Sequence, residues 1–558
     1  MRGMLAGIVA AGVWAAAEPV LGRALGVPWY SDRRLLGGLF RVGPALQLPR
    51  SPLRRCPQAF PSSSREHILT PMAAFSLDQR RTLTLAATVL GSSLAFIDAT
   101  VVFVALPTIA EDLGLGLTGQ QWIVLSYSLA LASLYLVGGA IGDRYGRRPT
   151  FIAGAAGFAV ASVFAGFAPT GGLLILARAL QGVAGAFLTT NSLALLRGVY
   201  GDEAGRAIGL WTAFTTVATI AGPPIGGALV EWVSWRWIFF INLPLAALTV
   251  VLAKAGECDE QRVLRVGRLD IPGATLAAVA FGTLTYGLVE APDKGFADVW
   301  WAFAISVPAL VAFCLVEARS KNAMLPFDLF KRRNFAMANL ETFLVYGALY
   351  AQLIFVQLYL QFIGFSPFEA ALLGIPGSVI MIALAARFGK LADERGPRLY
   401  LTVGPFLVGI GILLILPVTS KSDFWTWGFA SIIVFSLGLA MLVAPITSTA
   451  LKSAPSELAG IASGVNSTVS RLGNLIAVAS IGLVISLVYD SQVSFGEPLA
   501  RNQVDPALRD ASIQSFRVGM LAAAGLAFAG AIIAAVGIVN QEDAPAEVSE
   551  QEPAPAGS

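Results

Sequence analysis

Long apolar runs, broken by short polar loops, dominate the chain. Fourteen of them lie at about 83–106, 120–142, 150–168, 172–196, 205–230, 237–253, 270–290, 300–317, 335–361, 368–389, 399–418, 425–451, 459–488 and 516–538. Crossing the hydrocarbon core of a bilayer takes about 20 mostly apolar residues as a helix. A barrel strand would instead alternate apolar and polar residues over about ten positions. Stretches such as Leu401 to Leu416 are apolar on every face, so the pattern predicts helices and an all-α polytopic membrane protein.

Composition points the same way. Of 558 residues, 56% are hydrophobic and 13% charged, whereas soluble chains carry about 25% charged residues. The net charge of +3 gives no electrostatic reason to expect a nucleic-acid partner. Cys56, Cys258 and Cys314 form no CxxC pair, and the single histidine, His67, lies in the N-terminal tail. A His-ligated metal or a Ser-His triad would depend on that one residue, so no metal, no cofactor and no enzymatic activity are expected. No G-x-x-x-x-G-K-[ST] loop occurs, which leaves an ion gradient rather than ATP hydrolysis as the energy source.

With the first span running from the cytoplasm outward, the inner loops carry eighteen Lys and Arg, from Arg144 through Lys452. The outer loops carry five: Arg236, Lys294, Lys421, Arg501 and Arg509. This positive-inside bias predicts a multi-pass protein of the cell (plasma or inner) membrane with both termini cytoplasmic. Residues 1–78 read as an N-terminal extension, disordered or upstream of a natural start at Met72, with a peripheral arm as the alternative. Residues 541–558 read as an acidic disordered tail.

Span two is followed by Gly139-Ala-Ile-Gly-Asp143-Arg-Tyr-Gly146-Arg-Arg148, and span ten by Gly389-Lys-Leu-Ala-Asp393-Glu-Arg-Gly396-Pro-Arg398. Both read G-x-x-x-D-x-x-G in an expected cytoplasmic loop. The matched phase predicts two six-helix bundles, 79–255 and 331–540, with two inserted helices and their loops at 256–330. Internal repeats of this kind mark transporters whose substrate sites lie near the midplane between the halves. The Gly139–Arg148 stretch resembles the loop signature of the major facilitator superfamily. Three further segments are similar to signatures of its fourteen-span drug:proton antiporters: Ile97 to Pro107, Arg178-Ala-Leu-Gln181-Gly182-Val-Ala-Gly185, and Gly222-Pro223-Pro224-Ile-Gly226-Gly227. The run from Trp235 to Pro244 resembles the junction of spans five and six in that subgroup. Phe103 departs from the pattern, standing where the family usually has Asn. The resemblance covers about residues 80–540. It implies the major facilitator fold, places spans one and four side by side, and associates the Gly222–Gly227 motif with export.

An ionisable side chain inside a span costs about 2.5–3.5 kcal/mol on insertion scales, so each needs a reason. At 1.5 Å per residue, Asp98 and Arg178 lie about 12 and 9 Å from the same membrane face, which permits a buried pair. Such a pair reads either as a proton-coupling switch or as a permanently ionised structural pair. Phe103, Glu341, Asn466 and Arg471 are candidates for the substrate cavity. Glu341 near the inner face either meets cationic substrate or snorkels to the interface, and Asn466 and Arg471 either glue helices or line the cavity. Pro223 and Pro224 are expected to kink span five, while Gly222, Gly226 and Gly227 admit a close neighbour. Gly139, Asp143, Arg144, Gly146, Arg147 and Arg148, with Gly389, Asp393 and Gly396 in the second copy, read as a gating loop. In it Asp143 satisfies amides at a helix N-terminus, and the arginines pair with acids of the other half when the inner side is closed.

The function expected is proton-coupled export of amphipathic drugs or other small molecules, cationic ones included. A potential of 100 mV gives about 2.3 kcal/mol per charge, enough for roughly a 50-fold substrate ratio per proton. An importer or metabolite exporter is the alternative on the same scaffold. A polytopic membrane enzyme is the alternative of another class, but the long outer loop holds only dispersed Asp490, Glu497, Asp505 and Asp510. The expected partners are a small-molecule substrate, protons and the lipid bilayer, with an adaptor protein left open.

Overall fold

All fourteen apolar runs are helical in the structure, a computed structural model that describes residues 77–256, 271–320, 327–455, 458–493, 496–501 and 505–540. The first half begins with α1 (Leu77–Leu113), α2 (Leu117–Tyr145) and α3 (Arg147–Gly166), followed by α4 (Gly171–Tyr200), α5 (Ala204–Trp232) and α6 (Trp237–Ala255, broken at Ile241). Next come α7 (Ile271–Lys294) and α8 (Phe296–Arg319). The second half holds α9 (Arg333–Phe362), α10 (Pro367–Arg395, broken after Leu372), α11 (Arg398–Leu413), α12 (Lys421–Lys452), α13 (Ala459–Asp490) and α14 (Pro506–Gly537). No strand occurs among the described residues. Twelve of these helices are long and apolar enough to cross a membrane. The bent helix α2 makes thirteen, and α11, with 16 residues, is shorter. The N-terminal extension up to residue 76, the stretches 257–270 and 321–326, and the tail 541–558 lie outside the described residues.

Several helices run past their apolar cores. Helix α1 continues through Pro107 to Leu113, and α14 starts at Pro506, where the Asp505 side chain accepts from the Ala507 N–H at 2.8 Å. Asp as N-cap with Pro at the first helical position is a sound helix start. Hydropathy misses it because the first turns are polar. Ser366 and Glu369 form a reciprocal capping box that opens α10. The two loop copies end their helices alike. Gly146 closes α2 at φ 102° and Gly396 closes α10 at φ 90°, a region that side chains with a Cβ rarely adopt.

Helix contacts repeat across the halves. Helix α2 meets α13 and α5 meets α10, so the second helix of each half touches the fifth of the other, as a pseudo-two-fold axis requires. Helices α7 and α8 pack on each other, and α7 also leans on α2 and α13. Of their most apolar stretches only 28% and 22% are buried, against 67% for α1, which puts the inserted pair at the periphery. Small residues set the tightest approaches. A Cβ on Gly182 of α4 would lie 2.4 Å from the backbone oxygen of Tyr127 in α2, and backbone cannot yield as a side-chain tip can. Gly182→Ala is therefore expected to cost about 1–3 kcal/mol by overpacking. Gly209→Ala on α5, where nothing lies within 4 Å of the new methyl, should be neutral or stabilising. Thermal unfolding of the two purified variants beside the parent checks both.

Candidate functional site

Asp98 of α1 and Arg178 of α4 are 0% and 1% exposed, and Arg178 Nη1 donates to Asp98 Oδ2. The other carboxylate oxygen accepts from Asn242 Nδ2 of α6 at 2.7 Å and from Gln181 Nε2 of α4 at 3.2 Å. Arg178 also donates to Gln181 Oε1 at 2.8 Å and, through Nε, to the Ile123 carbonyl of α2 at 3.3 Å. Its guanidinium carbon stands 4.4 Å from the centre of the Tyr127 ring. Ser162 of α3 completes the cluster, accepting from Gln181 at 2.8 Å and from Asn242 at 3.2 Å. Asp98 thus accepts three bonds and donates none, which is the arrangement of an ionised carboxylate. Five helices supply the groups, so none can shift without leaving a buried charge or dipole unserved.

The double proline adjoins this cluster. Helix α5 stays one element through Pro223 and Pro224. Pro223 has no N–H for the carbonyl of Thr219, the residue one turn earlier, and Thr100 Oγ1 of α1 lies 3.3 Å from that oxygen. A Cβ on Gly222 would meet Thr100 Oγ1 at 2.2 Å, and one on Gly226 would meet Val101 at 2.4 Å. Gly227 faces the other way, with Phe368 and Pro367 of α10 at 2.8 Å from its ideal Cβ. The motif is a three-way contact joining the Asp98 helix to the second half.

The gating-loop residues lie apart from that cluster, and one expectation needs correction. Asp143 does not serve amides at a helix N-terminus. It lies in the last turn of α2, and its carboxylate accepts from Arg147 Nε at 3.1 Å. Arg147 also donates to the Ala194 carbonyl of α4, and Arg148 to the Lys254 carbonyl of α6, while Arg144 stands 5.6 Å from the Tyr145 ring centre. In the second copy Asp393 pairs with Lys452 of α12 at 2.6 Å. The close packing belongs to Gly138 and Gly142, whose Cβ would meet Ala186 O at 2.9 Å and Asn191 Oδ1 at 1.6 Å. Gly139 has its nearest neighbour at 3.9 Å, and Gly389 at 3.1 Å.

The cavity candidates are dispersed. Phe103 is 5% exposed within the central apolar cluster. Glu341 is fully buried on α9, where Gly530 of α14 leaves it room. Asn466 of α13 donates to Asn339 Oδ1 at 3.2 Å and Thr342 Oγ1 at 2.9 Å, both on α9, which is helix gluing. Arg471 of α13 is half-buried, 4.7 Å from the centre of the Tyr135 ring of α2.

A family model described as Major Facilitator Superfamily matches residues 88–478. The chain belongs to the major facilitator superfamily. It is 33% identical over 426 residues to the multidrug resistance protein Stp of Mycobacterium tuberculosis, covering 74% of this chain and 77% of that one. It is 33% identical over 456 residues to the multidrug efflux pump LfrA of Mycolicibacterium smegmatis, covering 81% and 88%. The tetracenomycin C resistance and export protein of Streptomyces glaucescens is 33% identical over 411 residues, covering 72% and 76%. Among solved structures, a bacterial homologue of the human lysosomal transporter Spinster, inward-facing and unoccupied, matches with TM-score 0.56 at 18% identity, covering 82% of this chain and 97% of that one. A D-xylose–proton symporter matches with TM-score 0.57 at 13% identity, covering 83% and 98%. Family and fold point to a transporter rather than an enzyme.

In this facilitator the halves are stitched together on the face away from the Gly146 and Gly396 loops. Gln361 of α9 donates to the Val104 carbonyl at 2.9 Å, the Phe368 N–H of α10 to Glu231 at 3.1 Å, and Arg501 to Glu111 at 3.3 Å. Glu497 Oε2, between α13 and α14, accepts from the Leu117 N–H at 3.4 Å, at the start of α2. A Cβ on Gly116 would lie 2.6 Å from the same oxygen, so a larger residue there would push the Glu497 tip aside. Residue-by-residue reading of charge found Asp98 and Arg178 but passed over Gln181, Asn242 and Ser162, although Gln181 lies one turn from Arg178.

Burial pushes the Glu497 carboxyl above its ordinary value. The Leu117 N–H opposes this, and the like charges of Asp293 and Asp490 add to the rise. Once the loop lifts into water the ordinary value returns, so the docked loop binds the proton more tightly. Docking is then firmest at low pH and loosens as pH climbs through and above the usual carboxylate range. Spin labels at Leu115→Cys and Gln492→Cys should move apart between about pH 4 and 8. Glu497→Gln, permanently neutral, should hold the short distance throughout. An unchanged pH response in Glu497→Gln would contradict this.

Proposed function

We propose that the chain is a proton-coupled exporter of amphipathic small molecules that works by alternating access. In this reading it has fourteen spans, with two six-helix bundles and an inserted pair, and the basic loops and both termini face the cytoplasm. The observation that carries it is the buried, hydrogen-bonded Asp98–Arg178 pair on α1 and α4, next to the Gly222–Gly227 contact. Curated relatives named for multidrug resistance, efflux and export support the outward direction. The bonds at Gln361, Glu231, Arg501 and Glu497 support a state closed at the outer face.

The cluster couples a proton to movement. A proton on Asp98 removes the charge that Arg178, Gln181 and Asn242 serve, and the guanidinium is left to seek another acceptor. Thr100, two residues on, and Val101 carry any shift of α1 into Gly222 and Gly226, and Gly227 carries it to Pro367 and Phe368 of the other half. The proton and the cross-half contact thereby bias one two-state element. Asp143 with Arg147 and Asp393 with Lys452 hold the two inner loops as rigid corners for that rocking.

Asp98→Asn tests this. The amide keeps the volume and an acceptor but cannot exchange a proton. Everted vesicles energised by respiration should lose proton-dependent dye accumulation, falling to the level of vesicles without the protein, while membrane insertion and expression persist. Wild-type accumulation and wild-type collapse of an imposed pH gradient in Asp98→Asn would refute the assignment.

A further inference from the structure

We infer that Arg471 anchors an anionic group of the substrate, a carboxylate, sulfonate or phenolate on an aromatic body, at the level where α2 parts from α13. This rests on the transport reading above and names the substrate class of its cavity.

The charges within the spans are not alike. Arg178 is neutralised by Asp98 and surrounded by acceptors. Arg471 stands twelve residues into α13, about 18 Å along the helix. It makes no ion pair or hydrogen bond with any described residue, and its Nε is buried without an acceptor. Its guanidinium carbon lies over the face of the Tyr135 ring, 4.7 Å away, with Tyr127 and Tyr350 also within reach of its charge. The guanidinium N–H donors have no acceptor among the described residues, and their planar fork matches a planar anion in two parallel bonds. An uncompensated charge at that depth is costly, and an arriving anion offsets the cost. None of the buried acids pairs with it. Asp98 is committed to Arg178, Glu341 stands by Gly530 on the α14 side of α9, and Glu317 of α8 lines a pocket with Thr468, Val469 and Leu472.

The location makes the guanidinium reachable. One stripe of α13 faces α2 through successive contacts. Gln121 Nε2 donates to the Val478 carbonyl at 3.0 Å, Asn474 Nδ2 to Ser128 Oγ at 3.4 Å, and Arg471 covers Tyr135. The first two are neutral hydrogen bonds. The stripe ends at Tyr135 because α2 bends there by 50°. Beyond the bend Gly138 and Gly142 of α2 adjoin Ala186 and Asn191 of α4, and no hydrogen bond links α2 to α13 there among the described residues. The half-buried guanidinium therefore stands at the lip of the separation between the halves, on its inner side. A cationic cargo is repelled at this subsite, contrary to the expectation from sequence.

Carboxyfluorescein binding to the full chain in lipid nanodiscs, followed by fluorescence anisotropy, tests the inference. The parent chain should bind the dye, and added salt should weaken binding. Arg471→Gln should weaken it at least about tenfold at an unchanged unfolding temperature. Arg471→Lys, which keeps the charge but not the planar fork, should lose less. Asn474→Ala, which loosens the same seam without touching the charge, should bind as the parent does. A parent chain that binds no dye, parent-like binding by Arg471→Gln, or an equal loss in Asn474→Ala would each overturn the proposal. If Arg471→Gln does not fold, parent-like binding and salt dependence in Arg471→Lys would overturn it as well. Binding is read without a gradient. A parent that binds the dye yet moves nothing in energised everted vesicles would therefore defeat the export reading and leave the anion subsite standing.

Discussion

A carboxylate and a guanidinium held away from both water and lipid constrain everything packed around them. Neither ion can be left unserved at that depth, so Asn242, Gln181 and a backbone carbonyl converge from α6, α4 and α2 on Asp98 and Arg178, and Ser162 of α3 holds both amides. The cluster locks five helices of the first half into one body. It also makes that body sensitive to a single proton, because the same three donors that stabilise an ionised Asp98 have too little to bond once it is neutral.

The second half is built on different chemistry within the same plan. The pairing of second with fifth helix recurs in both directions, and each second helix ends on a glycine at positive φ, Gly146 or Gly396. Where the first half has an ion pair, however, α9 and α13 are joined by the neutral Asn466, Asn339 and Thr342 bonds. A bundle with a switchable ion pair facing one joined by neutral bonds is a division of labour suited to a transporter. One half senses the proton and the other offers the cargo a fixed wall, with Arg471 on it. The Gly-Pro-Pro helix lies between them, with its small residues turned to α1 on one side and to α10 on the other.

Much of this is legible from sequence, for physical reasons that differ by element. Helices are legible because lipid permits so few alternatives for a long apolar run, and the repeat because Gly-x-x-x-Asp-x-x-Gly recurs in matched phase. The pairing of Asp98 with Arg178 follows from depth once their helices are neighbours. Helix ends such as those at Leu113 and Pro506 are hidden, since capped polar turns extend beyond the hydrophobic core. Asn242 and Ser162 are hidden because a single amide or hydroxyl in a span looks like ordinary helix packing until its partner is placed. The role of Asp143 is hidden because the end of one helix and the start of the next are one residue apart at Gly146, and sequence does not say which one the carboxylate serves. The isolation of Arg471 from any acid is a statement about helix rotation, which hydropathy does not contain.

The central claim concerns the charge state of one carboxyl group when the outer face is closed. Isotope-edited infrared difference spectroscopy on purified protein near neutral pH, with the Asp98 signal assigned by its loss in Asp98→Asn, reads that state directly. The account predicts the symmetric and asymmetric stretches of an ionised carboxylate in the outer-closed form, and a protonated carbonyl band appearing only when the protein is driven to open outward. A protonated Asp98 band in the outer-closed form, or no change in the Asp98 signal between the two states, would contradict it.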